Sequence, residues 1–172
     1  ISLVPGSTVE TVLNVAGMAG VGMSYDAVND QIYYSDAQTT NSGKIWRIDI
    51  DGSNKEALVS GAASPYSLGI NHTGGKIYWA DGPNVSRANL DGSNYERQFI
   101  TVAGGAMRAA TYSSKTNLVY FYEVNEEVLY VANVDGTGLV KLIEGAYGYA
   151  IFIDDVNDKI YYDDRNQAGL MQ

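Results

Sequence analysis

No cysteine occurs anywhere in the sequence. Disulfides, thiolate metal sites and a cysteine nucleophile are therefore excluded. A chain of this size needs no disulfide, so the absence leaves the compartment open. Basic residues are scarce: 11 Lys and Arg stand against 20 Asp and Glu, a formal net charge of −9. Nucleic acid and anionic membrane surfaces require clustered Lys and Arg, so neither is expected as a partner. No apolar run reaches about 18 residues, the length a spanning helix needs, and no membrane insertion is expected. There is one histidine, His72. Alone it builds neither a multi-histidine zinc site nor a histidine-cluster switch. It lies in a predicted hairpin turn and is expected as a surface turn residue. Serine–histidine–aspartate catalysis would have to recruit it, and no G-x-S-x-G is present. The chain opens at Ile1 without a signal-peptide pattern, as expected of a processed chain or a piece of something longer.

What is present describes a globular protein. Apolar residues make up 45% and charged residues 18% of 172, enough for a substantial core and read as a single domain over 1–172. The acidic surface suits cations or basic partners. Tyr is used 14 times against 3 Phe and 2 Trp. Its place in a repeated strand motif accounts for this; a sticky or cross-linking Tyr surface is the alternative.

The stretch 75–94, GKIYWADGPNVSRANLDGSN, is the best-preserved copy of that motif. Ile77, Tyr78 and Trp79 form an apolar aromatic run suited to a buried strand. Asp81 to Asn84 break it with turn formers, a second run follows from Val85 to Leu90, and Asp91-Gly92 marks a tight turn. The same order recurs along the chain, with motif strands at 32–36, 77–81, 119–123 and 160–164. The spacings are 45, 42 and 41 residues. Four short strands per unit at a period of roughly 40–45 residues predict a β-propeller blade. There is no sustained helical period; a β-helix would repeat over a shorter length, and a sandwich would not repeat one motif so literally. Joining the tail to the head gives GLMQISLVPGST, which overlays GKIWRIDIDGSN at 43–54 without a gap. The expectation is an all-β propeller of four four-stranded blades, one of them split between the N- and C-terminal strands. Such a split closes a ring within one chain or joins one copy to the next.

The tetrads Tyr33-Tyr34-Ser35-Asp36, Tyr78-Trp79-Ala80-Asp81, Tyr120-Phe121-Tyr122-Glu123 and Tyr161-Tyr162-Asp163-Asp164 resemble the YWTD repeats, or class B repeats, of low-density lipoprotein receptors and their relatives. Ile45-Trp46-Arg47 with Asp51-Gly52-Ser53, and the run from Val85 to Ser93, match the family's usual continuation. The resemblance covers nearly the whole chain. It implies an extracellular, secreted, non-enzymatic module that binds other proteins on one face of the disc. The chain departs from the family in having four repeats where six are usual. It also carries Glu123 in the third tetrad and Asp163 in place of Thr in the fourth, and lacks cysteine-rich flanking modules.

Candidate site residues follow from the same pattern. Asp36, Asp81, Glu123 and Asp164 recur once per blade, which favours structural ties between blades over catalysis. Arg47 and Arg87 recur at one strand position and are expected as further ties. Asp154, Asp155 and Asp158, with Asn157, Asp163 and Asp164 nearby, form the densest acidic cluster. They are a weak Ca²⁺ candidate without EF-hand spacing; no other cofactor is expected. Asn71-His72-Thr73 and Asn84-Val85-Ser86 are glycosylation sequons at predicted loops. Tyr66, Met107, Arg108, Tyr147 and Tyr149 break the pattern near the inter-blade links and are candidates for an interaction face, because aromatics and Arg dominate hot spots. The expected partner is a protein ligand or further copies of the chain. Two alternatives stay open: a lactonase- or lyase-like propeller enzyme with a central divalent metal, and a carbohydrate-binding propeller using Trp46, Trp79 or surface Tyr.

Overall fold

Short aromatic and β-branched runs alternate with Asp-Gly and Asn-rich turns, which suits antiparallel hairpins. The computed structural model describes residues 11–13, 17–37 and 42–172, and every regular element within them is a strand. Residues 1–4, expected to complete the split blade, lie outside the described residues.

Blade one comprises β1 (Gly20–Asp26), β2 (Gln31–Asp36), β3 (Gly43–Asp49) and β4 (Glu56–Ala62). Blade two comprises β5 (Pro65–Asn71), β6 (Lys76–Asp81), β7 (Asn84–Asn89) and β8 (Glu96–Thr101). Blade three comprises β9 (Met107–Ser113), β10 (Leu118–Glu123), β11 (Val128–Asn133) and β12 (Val140–Glu144). Blade four has three described strands, β13 (Ile151–Asp154), β14 (Lys159–Asp164) and β15 (Gly169–Met171). Each sheet is an antiparallel meander in chain order. The tetrads lie on the second strands, and the inner strands β1, β5, β9 and β13 pack in succession. The result is a four-blade propeller arrangement. Among the described residues no comparable packing returns from β13 to β1, so the fan is open.

The core lies between blades. Tyr33, Ile45 and Val59 of blade one meet Leu68, Ile77 and Trp79 of blade two. Tyr78, Val85 and Ile100 meet Ala110, Val119 and Phe121 of blade three. Tyr122 and Leu129 meet Ile160 and Tyr162 of blade four. Burying a side chain such as Phe121 contributes roughly 1.5–3 kcal/mol, so each interface draws chiefly on apolar area.

Polar ties reinforce it. Tyr33 Oη and Arg47 Nη1, both 3.3 Å away, donate to the Leu90 carbonyl of blade two. Tyr78 Oη at 3.4 Å and Arg87 Nη1 at 2.8 Å donate to the Val134 carbonyl of blade three. The tetrad acids do something different from the expected tie between blades. Asp36 accepts from Ala19 N at 3.0 Å, Asp81 from Ser64 N at 2.9 Å, and Glu123 from Ala106 N at 2.7 Å. Each acid pins the incoming link to the blade it enters, because the link's unpaired N–H groups need an acceptor there. Asp164 is a second correction: it accepts from Asn166 N in the following turn. Its neighbour Asp163 takes the link, accepting Tyr149 N and Ala150 N, each at 2.7 Å.

Candidate functional site

Three of the four inner strands, β1, β5 and β9, begin with an irregularity. The β1–β2 register shifts between Gly20 and Met23, and the β5–β6 register between Pro65 and Leu68. The β9–β10 register shifts where Met107 meets Glu123. A bulge re-aims the side chain it carries. The residues at this position are Val21, Tyr66 and Arg108. Ile151 pairs with Tyr162 as Leu68 pairs with Trp79, so the corresponding residue of blade four is Tyr149.

Across blades two to four these side chains form a ladder. The Arg108 guanidinium lies 4.7 Å from the Tyr66 ring. The Arg165 guanidinium lies 3.9 Å from the Tyr149 ring. Tyr147 meets Tyr149 edge-on with centroids 5.7 Å apart, and their hydroxyls are 3.0 Å apart. Cation–π contacts of this kind contribute about 0.5–1 kcal/mol each at exposed sites. The backbone holds the ladder in place: Arg165 N donates to the Tyr147 carbonyl at 2.8 Å, and Arg108 Nη1 donates to the Met107 carbonyl at 3.0 Å. The hydrogen bond from Tyr147, with the Arg108 and Arg165 charges beside it, holds the Tyr149 phenol below its ordinary value. The same bond raises Tyr147. The pair titrates as a unit.

Arg165 escapes sequence reasoning because it follows the fourth tetrad like an ordinary turn residue. The residue after a tetrad bonds back to the link: Ala37 N to the Ala19 carbonyl, Val124 N to the Ala106 carbonyl, Arg165 N to the Tyr147 carbonyl. That position therefore shares a rim with the link, and a long side chain there is the signal. Met107 is a correction: it is fully buried in the core, because the residue before the bulge faces inward.

Comparisons with known proteins bear on this geometry. No family model matches. The vitellogenin receptor of Solenopsis invicta is 23% identical over 167 residues, 92% of the chain and 9% of that protein. Nidogen-2 of Mus musculus is 33% identical over 95 residues, 53% of the chain and 7% of that protein. In solved structures, the nidogen/laminin complex contains a chain that superposes with a TM-score of 0.81 at 18% identity, over 90% of this chain and 60% of that one. The fold is a β-propeller like that of the nidogen chain. The chain thus spans under a tenth of these receptor and nidogen sequences and 60% of the solved nidogen chain. A gluconolactonase from Xanthomonas campestris shares the fold with a TM-score of 0.70 at 11% identity, over 90% of this chain and 57% of that one.

The remaining candidates in this propeller are bound up in the fold. Asn71 and Asn84 are buried. Asn71 accepts from Gly74 N at 2.8 Å and Asn84 from the Thr101 hydroxyl at 2.8 Å. A glycan on either would displace that packing, because each sequon lies at a strand end and not on an exposed loop. His72 is no idle turn residue: its Nε2 lies 2.8 Å from the buried Asp26 carboxylate of blade one. Trp79 is fully buried, and Trp46 is covered by the Lys44 and Lys55 ammonium groups at 5.1 and 4.1 Å, so neither is an open sugar platform. The acids of the weak Ca²⁺ candidate are divided. Asp154 accepts from Val156 N and Asn157 N, Asp155 bonds to Ser113 and Ser114, and Asp158 pairs with Lys115 at 2.6 Å. Among the described residues no group of three or more ligating side chains is placed to hold a metal ion.

Proposed function

We propose that the chain is an extracellular, non-enzymatic protein-binding module whose partner docks on the Tyr66–Arg108–Tyr149–Arg165 ladder. The alternation of tyrosine and stacked guanidinium carries this reading. Two of the five arginines of a strongly acidic chain stand on one rim, where they suit a partner segment bearing carboxylates. Similarity to receptors and a nidogen supports the extracellular setting. The shared fold of the gluconolactonase leaves an enzyme as the second reading, and it lacks a metal-ligating group among the described residues.

The test is a peptide-display selection against the intact chain. Selected peptides are expected to be rich in Asp and Glu and to lose about tenfold or more in affinity against Arg108→Ala or Tyr149→Ala, about 1.4 kcal/mol or more. Peptides indifferent to both substitutions overturn the docking assignment. The same reading includes association of the chain with further copies through its terminal strands. It is supported by large apolar side chains left exposed at both ends of the fan, Met23 at 76% and Phe152 at 65%.

A further inference from the structure

The turns 124–127 and 165–168 join the second and third strands of blades three and four. They are built alike. Each follows a tetrad acid, Glu123 or Asp164, and carries an asparagine as its second residue. Asn125 Nδ2 donates to the Gly104 carbonyl at 2.7 Å, and Asn166 Nδ2 donates to the Gly145 carbonyl at 3.3 Å. In both cases that carbonyl belongs to the link entering the same blade. The last residue of each turn is left-handed, with φ +57° at Glu127 and +51° at Ala168. Only glycine takes this conformation without a steric cost. Blade three places a glutamate there.

From that position Glu127 reaches into blade four. Its Oε2 accepts a further hydrogen bond from Asn166 Nδ2 at 2.9 Å. Its backbone carbonyl accepts from Ala146 N at 2.9 Å, in the link that enters blade four. The neighbouring Glu126 stays within its own blade, paired with Lys141 at 2.9 Å and accepting the Tyr130 hydroxyl at 2.7 Å. The turn of blade two, Gly82-Pro83, makes only the backbone contact: the Gly82 carbonyl accepts Met107 N at 2.6 Å. Glu127 thus fastens a link and a turn to one residue. The link carries Tyr147 and Tyr149, and the turn carries Arg165.

We propose that Glu127 is a positioning residue of the ladder: it clasps the 165–168 turn and the incoming link together, so that Arg165 stands over Tyr149 and beside Tyr147. This rests on the docking reading above and names a residue outside the ladder that sets its geometry. The ladder's own contacts are weak anchors. Arg165 is exposed, and its Nε lies 3.5 Å from the Asp163 carboxylate. An exposed ion pair of this kind contributes little. What holds the guanidinium 3.9 Å from the Tyr149 ring is the backbone beneath it. A binding group keeps its geometry only when the residues behind it are themselves fixed. A left-handed non-glycine residue persists where its surroundings over-determine it, and such residues cluster at ligand clamps. Ala168 has the same φ but no polar side chain, so the conformation belongs to the turn and the clasp belongs to the glutamate.

Three variants separate position from charge. Glu127→Gly removes the carboxylate and relieves the backbone. Asn166→Ala removes the donor and leaves Glu127 in place. Glu127→Gln removes only the charge and keeps an oxygen acceptor for Asn166. Each is checked for native circular dichroism. The ionisation of Tyr149, followed by tyrosinate absorbance without any partner and identified with Tyr149→Phe, reads the clasp. In Glu127→Gly and Asn166→Ala it should move up toward 10.0, because Tyr147 and Arg165 no longer stand against the phenol. Loss of a negative charge alone would move it down, so the upward direction marks a change of position. Glu127→Gln should leave it in place. Acidic peptides selected on the intact chain should lose about three- to tenfold in affinity against Glu127→Gly and Asn166→Ala and keep it against Glu127→Gln. The proposal is overturned if Tyr149 ionises unchanged in Asn166→Ala and in folded Glu127→Gly, or if Glu127→Gln moves it as far as they do. A shifted Tyr149 together with peptides that ignore Arg108→Ala and Tyr149→Ala upholds the clasp and overturns the docking assignment instead.

Discussion

At the scale of single residues, the ladder shows how position outranks identity. Val21, Tyr66, Arg108 and Tyr149 share one position at the head of the inner strand, yet only the last three alternate aromatic with cation. Tyr149 is the residue where this is most easily measured. Its phenol is held below its ordinary value first by the hydrogen bond from Tyr147 and then by the two arginines. Tyr147→Phe removes that donor, so the Tyr149 ionisation should move up toward the ordinary value of 10.0. An absorbance titration of tyrosinate, with Tyr149→Phe identifying the transition, checks this. A transition that stays in place would show that the two phenols are not coupled. Most of the ladder was legible in the sequence as residues that interrupt a repeat. Arg165 was not, because its place on the rim depends on a backbone bond to Tyr147 that no spacing reveals.

At the scale of elements, the hairpin turns carry the constraint. Gly92 has φ +83° and its missing Cβ faces the Leu58 backbone. Gly75 has φ +62° with nothing nearby. Both substitutions to Ala incur the left-handed backbone cost of about 1–2 kcal/mol. Gly92→Ala must also push two blades apart, so it should lose roughly 3 kcal/mol or more, against about 1–2 kcal/mol for Gly75→Ala. Urea unfolding of the two variants compares them. Equal losses would mean that the turn does not help set the blade spacing. The Asp-Gly dipeptide announced a turn in the sequence. That the turn also abuts the neighbouring blade is a property of the packed fan.

At the scale of the whole molecule, stability should be bounded at both ends of the pH range. Burial alone would raise the Asp26 carboxyl. The Asn29 side chain and backbone, the Val28 backbone and His72 outweigh it and hold Asp26 below the ordinary 3.8. Hydrogen bonds from Ser53, Ser93 and Thr137 lower the exposed turn acids Asp51, Asp91 and Asp135 in the same way. These groups contribute stability that is fully present above 3.8 and is lost as pH falls through their folded values. The tyrosines shift the other way. Burial raises Tyr33, Tyr78 and Tyr122, and pushes Tyr34 up to about 12. Above the ordinary value of 10.0 the unfolded chain loses these protons first, so stability falls again. Thermal melts should give a plateau from about pH 5 to 9 with a decline on each side. A melting temperature that keeps rising toward alkaline pH would contradict the buried state of the tyrosines.

The sequence by itself determined the all-β class, the four-fold repeat, the turn positions and the YWTD-like tetrads, because these depend on local alternation and on a period that recurs. It also singled out Tyr66, Arg108, Tyr147 and Tyr149 as departures from that period. Only the tertiary structure decided which copies touch. It added Tyr33 and Tyr78 to the tie between blades expected of Arg47 and Arg87, and set Asp36, Asp81 and Glu123 to pinning the links. It buried Met107, Asn71 and Asn84, and set His72 against Asp26. The physical reason is that a repeat fixes what each blade looks like, whereas contacts between blades depend on twist, bulge and spacing that arise only when the sheets pack. For the same reason the cover that the fourth strand of one blade gives the turn glycine of the next, Leu58 over Gly92 and Phe99 over Gly136, is seen in the fold and not in the motif.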